Sequence, residues 1–322
     1  MLEIILVLIA LLAGSTDPAH VRQRGPVPDP LVRENATVKL APHTYAIPDN
    51  NVGLVPNIGI VTGSRGTLVI DPGLGRRNGE TVMKEAARVS RGGALYIAST
   101  HFHPEHTTGY IAFPASAKYV NSSVQEAEFE QNGMQMVRTF ANRSAVTADL
   151  LKDAARRTAD ITFDRDYTLD LGDVHVRFVL VGPTHTRGDT GLFVVEDGVL
   201  FAGDVVMNQS FLAAGDATSM RAWLKAFDTF EAMHPSTIVP SHGAIGTGEL
   251  IAANRDVMET IRSKASALKA QGKSLDEVAS TIQSELTAAH PGWPRANGIA
   301  AAARAAYKRV QRGGLTRRSR SK

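Results

Sequence analysis

Three histidines and one glutamate occur within six residues of this chain, directly after a predicted strand over residues 95–98. They are His101, His103, Glu105 and His106. The chain of 322 residues contains no cysteine, so a metal bound here has only imidazole and carboxylate ligands available. Without a metal, four such side chains on one turn would repel one another and lose solvation. The segment therefore predicts a metal site.

Further candidate ligands occur at the ends of other predicted strands. His185, Asp204 and His242 each come directly after a strand-like run of apolar residues. Loops at strand ends are held by a rigid sheet, which suits them to carry reactive side chains. Asp71 closes an early strand in the same way, although Asp71-Pro72-Gly73 is also typical of an ordinary turn.

Short strands alternate with helical segments between about residues 43 and 243. The four residues Gly63-Ser64-Arg65-Gly66 separate two β-branched runs and predict a hairpin. Trp223, Phe227 and Phe230 share one helical face, and this spacing predicts a core position for all three. Two halves of this kind favour an α/β fold in which two sheets pack face to face with helices outside.

The sequence beyond residue 243 has a helical character. Residues 249–271 and 297–311 are rich in Ala, Lys and Arg, and Ser274 with Glu277 forms a capping-box pattern. No cluster of catalytic residue types occurs there, so we expect a helical extension over residues 251–311 that packs on the preceding domain.

The N-terminal segment indicates export. Residues 4–13 are apolar, which is too short for a bilayer span of roughly 20 residues but suits a signal peptide. The basic residues of a typical signal are missing, and Glu3 stands in their place, so a cytoplasmic location stays open. We expect a signal peptide at residues 1–15, a proline-rich linker at 16–42 and a periplasmic or extracellular protein.

The net charge of +3 resides in a basic tail over residues 312–322. Without the five basic residues of this tail, the chain carries 30 basic and 32 acidic side chains. A nearly neutral body lacks the basic footprint of a nucleic-acid-binding protein. We expect a small-molecule substrate, no nucleic acid, and no stable membrane insertion after processing.

In chain order these motifs resemble those of the metallo-β-lactamase superfamily. The family pattern His-x-His-x-Asp-His appears as His101-Phe102-His103-Pro104-Glu105-His106, and His185, Asp204 and His242 follow in the family's order. The likeness covers roughly residues 43–250. It implies a four-layer αββα sandwich, with a zinc cleft that holds one or two ions at one edge.

The resemblance also implies a role for each residue. His101, His103 and His185 would hold the first metal, Glu105, His106 and His242 the second, and Asp204 would bridge both. Asp71 would orient a ligand, so the implied catalytic carboxylates are Asp204, Glu105 and Asp71. The remaining histidines match no motif and are expected to be structural: His20, His43, His175, His234 and His290.

The implied activity is hydrolysis, with metal-bound hydroxide attacking the carbonyl of an ester, thioester, lactone or amide, including a β-lactam. Zinc β-lactamases of the commonest type have a cysteine at the position of Asp204 and a lysine three residues later. This chain has Met207 there, so its bridging aspartate resembles the glyoxalase II and lactonase branch, and no anchor for an anionic substrate is evident.

Glu105 stands where the family usually has aspartate, and its extra methylene predicts a weak, reshaped or vacant second site. A true β-lactamase, a persulfide dioxygenase-like oxidoreductase with one iron ion, and a metal-binding module without catalysis remain the alternatives.

Overall fold

The structure is a computed structural model that describes residues 28–214 and 219–315. The predicted signal peptide lies outside these residues, as does most of the predicted basic tail.

Seven strands form the first sheet, in the order in which they occur along the chain. Neighbouring strands are antiparallel from β1 to β4 and parallel from β4 to β7. The strands are β1 (Val38–Lys39), β2 (Thr44–Ile47), β3 (Ile58–Thr62), β4 (Gly66–Ile70), β5 (Ala94–Ala98), β6 (Lys118–Ser122) and β7 (Ile161–Phe163). The predicted hairpin is confirmed, because Ile60 of β3 pairs with Val69 of β4 across the glycine turn.

Five strands form the second sheet, in the order β12-β11-β10-β9-β8. Only β11 and β12 are parallel, and the other neighbours are antiparallel. The strands are β8 (Asp166–Asp170), β9 (His175–Leu180), β10 (Thr190–Val194), β11 (Val199–Gly203) and β12 (Thr237–Pro240).

Helices cover the outer face of each sheet. They are α1 (Gly75–Val89), α2 (Pro104–Thr107), α3 (Ser123–Glu128), α4 (Met134–Ala141), α5 (Ala145–Leu150), α6 (Met220–Glu231), α7 (Glu249–Ala270), α8 (Leu275–Ala289) and α9 (Asn297–Leu315). A 3₁₀ turn at Thr108–Ala112 follows α2, and a π-helical turn at Phe129–Gly133 joins α3 to α4. None of the helices within the described ranges is both long and apolar enough to cross a membrane.

The predicted αββα architecture is confirmed, and its four layers are joined by three apolar cores. The inner faces of the sheets meet in a core that includes Leu68 and Phe178. Gly59 allows β3 to approach Phe201 of the second sheet closely, since a Cβ there would lie 2.5 Å from the Phe201 ring. Val82 of α1 packs on the outer face of the first sheet, and Trp223 of α6 on that of the second.

Part of the predicted linker is packed on the domain. Within residues 16–42, the described residues begin at 28; Val32 is buried, and β1 pairs with β2. The buried side chain of Asn78 in α1 accepts a hydrogen bond from the Val32 amide at 2.9 Å and donates to the Pro30 carbonyl at 2.9 Å. This buried amide holds a proline-rich segment that composition alone marks as a linker.

The C-terminal helices α7, α8 and α9 bury apolar side chains in the same core as α6. Helix α8 begins with the predicted capping box, in which the Ser274 and Glu277 side chains each bond the other residue's backbone amide. The extension also contacts the loop after β11, because Asn254 accepts from the Met207 amide at 3.0 Å and donates to its carbonyl at 2.7 Å.

Trp223→Ala tests the packing of α6 on the second sheet. The Trp223 side chain is fully buried, and its Nε1 donates to the Val205 carbonyl at 2.9 Å. We expect the free energy of unfolding to fall by about 3–5 kcal/mol in guanidinium titrations followed by circular dichroism. The partly buried Leu224 on the same helix is the control, and its alanine variant should lose clearly less stability. Equal losses of stability in the two variants would contradict the assignment of Trp223 to the core between α6 and the second sheet.

Candidate metal centre

The candidate ligands lie at one edge of the sandwich because they follow the carboxyl ends of neighbouring strands. The segment from His101 to His106 follows β5, and Asp71 follows β4, its parallel neighbour. Asp204 follows β11 and His242 follows β12, which are also parallel. Carboxyl ends of parallel strands meet at a common edge, so the topology brings these residues together.

The His101–His106 turn is fixed by local hydrogen bonds. Pro104 occupies the first position of α2, where its fixed φ suits a helix start. The Thr107 hydroxyl donates to the His103 carbonyl at 3.0 Å, and the Ser99 hydroxyl to the His106 carbonyl at 3.0 Å. These bonds hold the backbone of the turn from which the ligand side chains project.

Asp204 enters the site through a left-handed glycine. Gly203 has φ +61, and the pairing of β11 with β12 shifts register between Phe201 and Gly203. A Cβ at Gly203 would lie 2.9 Å from the Thr100 Cβ. Glycine is therefore needed here both for its backbone conformation and for space.

Three imidazoles form the first ligand group. His101 Nε2 and His185 Nε2 each lie 3.1 Å from His103 Nδ1. The ligand atoms of the three residues lie within 4.8 Å of one another. This is the set that the resemblance implies for the first metal.

Glu105, His106 and His242 form a second group with the same 4.8 Å limit. Asp204 lies between the groups: its Oδ2 is 3.6 Å from His185 Nε2, and its Oδ1 is 3.9 Å from His242 Nε2. Each oxygen of this carboxylate therefore faces a different group, which is the arrangement expected for a bridging ligand.

Acceptors outside the groups orient the rings. Asp71 accepts from the Thr100 amide at 2.7 Å and lies 3.0 Å from His106 Nδ1. His185 Nδ1 donates to the Ala213 carbonyl at 2.8 Å, and His242 Nδ1 donates to the Val55 carbonyl at 3.0 Å. A carbonyl oxygen can only accept, so Nδ1 carries the proton and Nε2 of both rings presents a lone pair.

Several buried donor atoms are left without hydrogen-bond partners within the described parts of the chain. Four of them belong to candidate ligands, namely Glu105 Oε2, His106 Nε2, Asp204 Oδ1 and His242 Nε2, and the others are Gln125 Nε2, Gln125 Oε1 and Ser241 Oγ. Buried polar atoms are rarely left unpaired, because their desolvation is then uncompensated. The four ligand atoms belong to the two groups or to Asp204, which forms a third, overlapping group with His101 and His106. Nitrogen and oxygen ligands of this kind suit zinc or iron. The residues therefore fit a metal centre.

Burial sets the protonation of the histidines and two of the carboxylates. It lowers the pKa of His101, His103 and His106 well below 6.5, which favours the neutral form that binds metals. It raises the pKa of Glu105 and of Asp71 to about 7.

Asp204 titrates in the opposite direction. Burial alone would raise its pKa, but the positive charge of Arg295, together with the electrostatic attraction of the neighbouring histidines, outweighs this effect and holds the pKa well below 3.8. Asp204 is thus the ionised carboxylate of the site.

Arg295 is a site residue that the sequence did not reveal. It precedes α9 in the C-terminal extension, and its Nη1 lies 3.6 Å from Asp204 Oδ2. The segment Trp293-Pro294-Arg295 carries no recognisable motif. Only the docking of the extension, 91 positions beyond Asp204, brings this charge to the site.

A cavity of about 620 Å³ opens beside the second group. Glu105 and His242 line its metal side, and Asp49, Leu54, Asn208 and Arg295 line other walls. The side-chain amide of Asn208 donates to the Ala244 carbonyl at 2.8 Å, so one of its two N–H groups is already used. The volume suits a small-molecule ligand.

The described histidines that match no motif lie outside the three candidate ligand groups. His43 Nδ1 lies 3.0 Å from Asp197, His175 Nδ1 lies 2.7 Å from Glu196, and His290 stacks on Trp293. His20 lies outside the described residues.

A family model described as the metallo-beta-lactamase superfamily matches residues 52–242. One curated relative, the acyl-coenzyme A thioesterase MBLAC2 of Gallus gallus, is 30% identical over 168 residues. The match covers 48% of this chain and 59% of that protein, so the chain spans little more than half the length of this relative.

Solved structures share the fold at low identity. A metallo-beta-lactamase from Pontibacter korlensis matches with TM-score 0.56 and 18% identity, over 68% of this chain and 96% of that one. The sec-alkylsulfatase Pisa1 from Pseudomonas sp. matches with TM-score 0.62 and 16% identity, over 85% of this chain and 50% of that one. A metallo-beta-lactamase family protein from Thermus thermophilus matches with TM-score 0.57 and 16% identity, over 86% of this chain and 95% of that one.

Asp71→Asn tests the orienting bond to His106. We expect metal affinity to fall about 10- to 100-fold in competition with a chromophoric chelator, because the carboxylate no longer fixes the ring. Asp197→Asn is a matched control, since Asp197 is similarly placed 3.0 Å from a histidine Nδ1, that of His43, away from the ligand groups. Unchanged affinity in Asp71→Asn would indicate an ordinary turn residue.

Glu105→Asp tests the reach of the glutamate. The glutamate carboxylate lies 3.9 Å from His106 Nε2, and shortening it withdraws the oxygens by about one bond length, beyond the few tenths of an ångström that metal sites tolerate. We expect the occupancy of the second ion to change, measured as bound ions per chain by mass spectrometry after dialysis. Glu85→Asp, which shortens a buried glutamate that holds the Asn35 amide, should leave the metal content unchanged. Equal metal content in both variants would show that glutamate is a plain substitute for aspartate.

Proposed function

The chain belongs to the metallo-β-lactamase superfamily, and we propose that it is a zinc-dependent hydrolase of acyl bonds whose first candidate substrate is a thioester. The observation that carries the proposal is the set of seven donor residues in overlapping groups, with unpaired buried atoms, beside an open cavity. Esters, lactones and amides contain the same kind of carbonyl and stay within the proposal. The thioesterase relative favours thioesters among them.

The proposed ligand sets are those that the two groups indicate. His101, His103 and His185 would hold one ion, Glu105, His106 and His242 a second, and Asp204 would contribute one oxygen to each. When bound, Zn²⁺ polarises a carbonyl oxygen and lowers the pKa of water toward about 7. The chain offers no cysteine as a nucleophile, and this chemistry needs none.

The protein groups around the ligands hold protons away from the metal side. Because Ala213 and Val55 fix the Nδ1 protons of His185 and His242, these rings cannot turn a proton toward the centre. The Thr100 hydroxyl donates to Asp71 at 2.9 Å and so accepts from His101 Nδ1 at 3.2 Å, which fixes the same tautomer in His101. These bonds keep the lone pairs of three Nε2 atoms in place before a ligand arrives.

The cavity beside the second group restricts where the reactive group of a substrate can lie, and places fewer limits on the rest of the substrate. Glu105 and His242 reach its wall, while Asp204 is buried beneath, so only a group placed at this wall meets the ligand set. A carbonyl carbon carried at the end of a flexible chain satisfies this requirement.

Metal removal tests the proposal. Dialysis against a chelator should abolish hydrolysis of an acyl-coenzyme A thioester, and Zn²⁺ should restore it, with metal content measured in the same samples. His101→Ala should lower activity to background, whereas His175→Ala, which removes an exposed histidine bound to Glu196, should retain it. Full activity in metal-free protein would overturn the proposal.

The alternatives predict different results in the same preparation. Hydrolysis of nitrocefin faster than any ester or thioester would identify a β-lactamase. Bound iron together with oxygen uptake on a persulfide would identify an oxidoreductase of the persulfide dioxygenase kind. A metal-loaded protein that is inactive on all these substrates would support a binding module.

A further inference from the structure

The cavity beside the candidate metal centre has a single cationic side chain among its described lining residues. Arg295 is the only lysine or arginine there, and about 29% of its side chain is exposed. Its Nη1 lies 3.6 Å from Asp204 Oδ2 and 3.1 Å from the Met207 sulfur. The positive charge is thus both next to the ligand set and accessible from the cavity.

The backbone holds Arg295 in a conformation that disfavours most residues. Its φ is +66, in the left-handed region where a Cβ is strained. The Pro294 carbonyl accepts from the Phe211 amide at 3.2 Å, and the Arg295 carbonyl accepts from the Gly298 amide at 2.9 Å. Trp293 packs on Phe211 with 5.3 Å between the ring centroids. A strained residue that its surroundings hold in place beside a site suggests a functional role.

Asp204 leaves some N–H donors of the Arg295 guanidinium available. Among the described residues it is the only carboxylate within 4.0 Å of the guanidinium. Both of its oxygens also face the histidine groups, at 3.6 Å and 3.9 Å. A guanidinium has five N–H donors in a planar fork, and such a fork suits a carboxylate or a phosphate. An anion in the cavity would find donors that Asp204 leaves available.

We propose that Arg295 binds an anionic group of the substrate and so makes the enzyme selective for acidic thioesters. The proposal rests on the proposed function above. This anionic group is either a carboxylate on the acyl chain or a phosphate on the leaving thiol. Arg295 would act as a specificity residue, with its effect on substrate binding rather than on the acyl transfer itself.

A panel of four thioesters separates the two sources of charge. Butanoyl and succinyl groups have four carbons each and differ in a terminal carboxylate. Each is attached either to N-acetylcysteamine, which is uncharged, or to coenzyme A, which carries phosphates. We expect wild-type protein to prefer the charged members.

Arg295→Ala should lower kcat/KM for the preferred charged members roughly 10- to 100-fold more than for butanoyl-N-acetylcysteamine, mainly through KM, with metal content measured in the same samples. A loss confined to succinyl substrates identifies the acyl carboxylate, and a loss confined to coenzyme A substrates identifies the phosphate. Arg295→Lys should retain part of the preference. Arg304→Ala, which removes an exposed arginine paired with Asp276 in the same extension, should change none of the four values. Equal losses on all four substrates, or none, would overturn the proposal.

A binding measurement separates this proposal from the proposed function. Calorimetric titration of metal-loaded wild-type and Arg295→Ala protein with succinate and with desulfo-coenzyme A needs no turnover. Weaker binding of either probe by the variant, at equal metal content, supports Arg295 as the anion site even if no thioester is hydrolysed. Equal binding by both proteins, or no binding by wild type, would overturn it.

Discussion

Desolvation of the donor side chains is the constraint on which the rest of this structure depends. His101 is 1% exposed, His106 is fully buried and Asp204 is 4% exposed. Burying such groups without partners costs several kcal/mol, by the order of magnitude seen for polar transfers. Asp71, Val55 and Ala213 satisfy only the outer side of three rings. The inner side presents lone pairs and carboxylate oxygens, and a metal cation is the kind of group that compensates their burial.

Such a site has to be rigid, and backbone bonds between the two sheets and within the second sheet hold it in place. The amide of Thr190, at the start of β10, donates to the Thr100 carbonyl at 2.8 Å. The Asn57 amide donates to the Ser241 carbonyl at 2.6 Å, and the Ser241 amide to the Gly203 carbonyl at 3.1 Å. The first two bonds join the two sheets, and the third joins the ends of β11 and β12, where Asp204 and His242 follow. Donors that are more than 100 positions apart in the chain are therefore held at fixed separations before a metal binds.

The parts that could be predicted are those with a local signature. The His101–His106 segment is a dense pattern, and the strands before the candidate ligands are apolar runs. The sandwich and the seven candidate ligands are therefore what the family resemblance of these motifs implies from sequence. Arg295 has no such signature, because its place depends on how α7 to α9 dock. The packed part of the expected linker has the same explanation: its anchor is Asn78, a polar residue within α1.

The C-terminal extension is part of the structure of the candidate metal centre. Asn254 of α7 holds the Met207 backbone, and Pro294 holds the Phe211 amide, so the extension fixes the loop after Asp204 at two points. The same segment carries Arg295, whose charge helps to keep Asp204 ionised. Packing of the extension, shape of the loop and charge at the site are thus coupled. A change in how these helices pack would therefore alter the centre's electrostatics without touching a ligand residue.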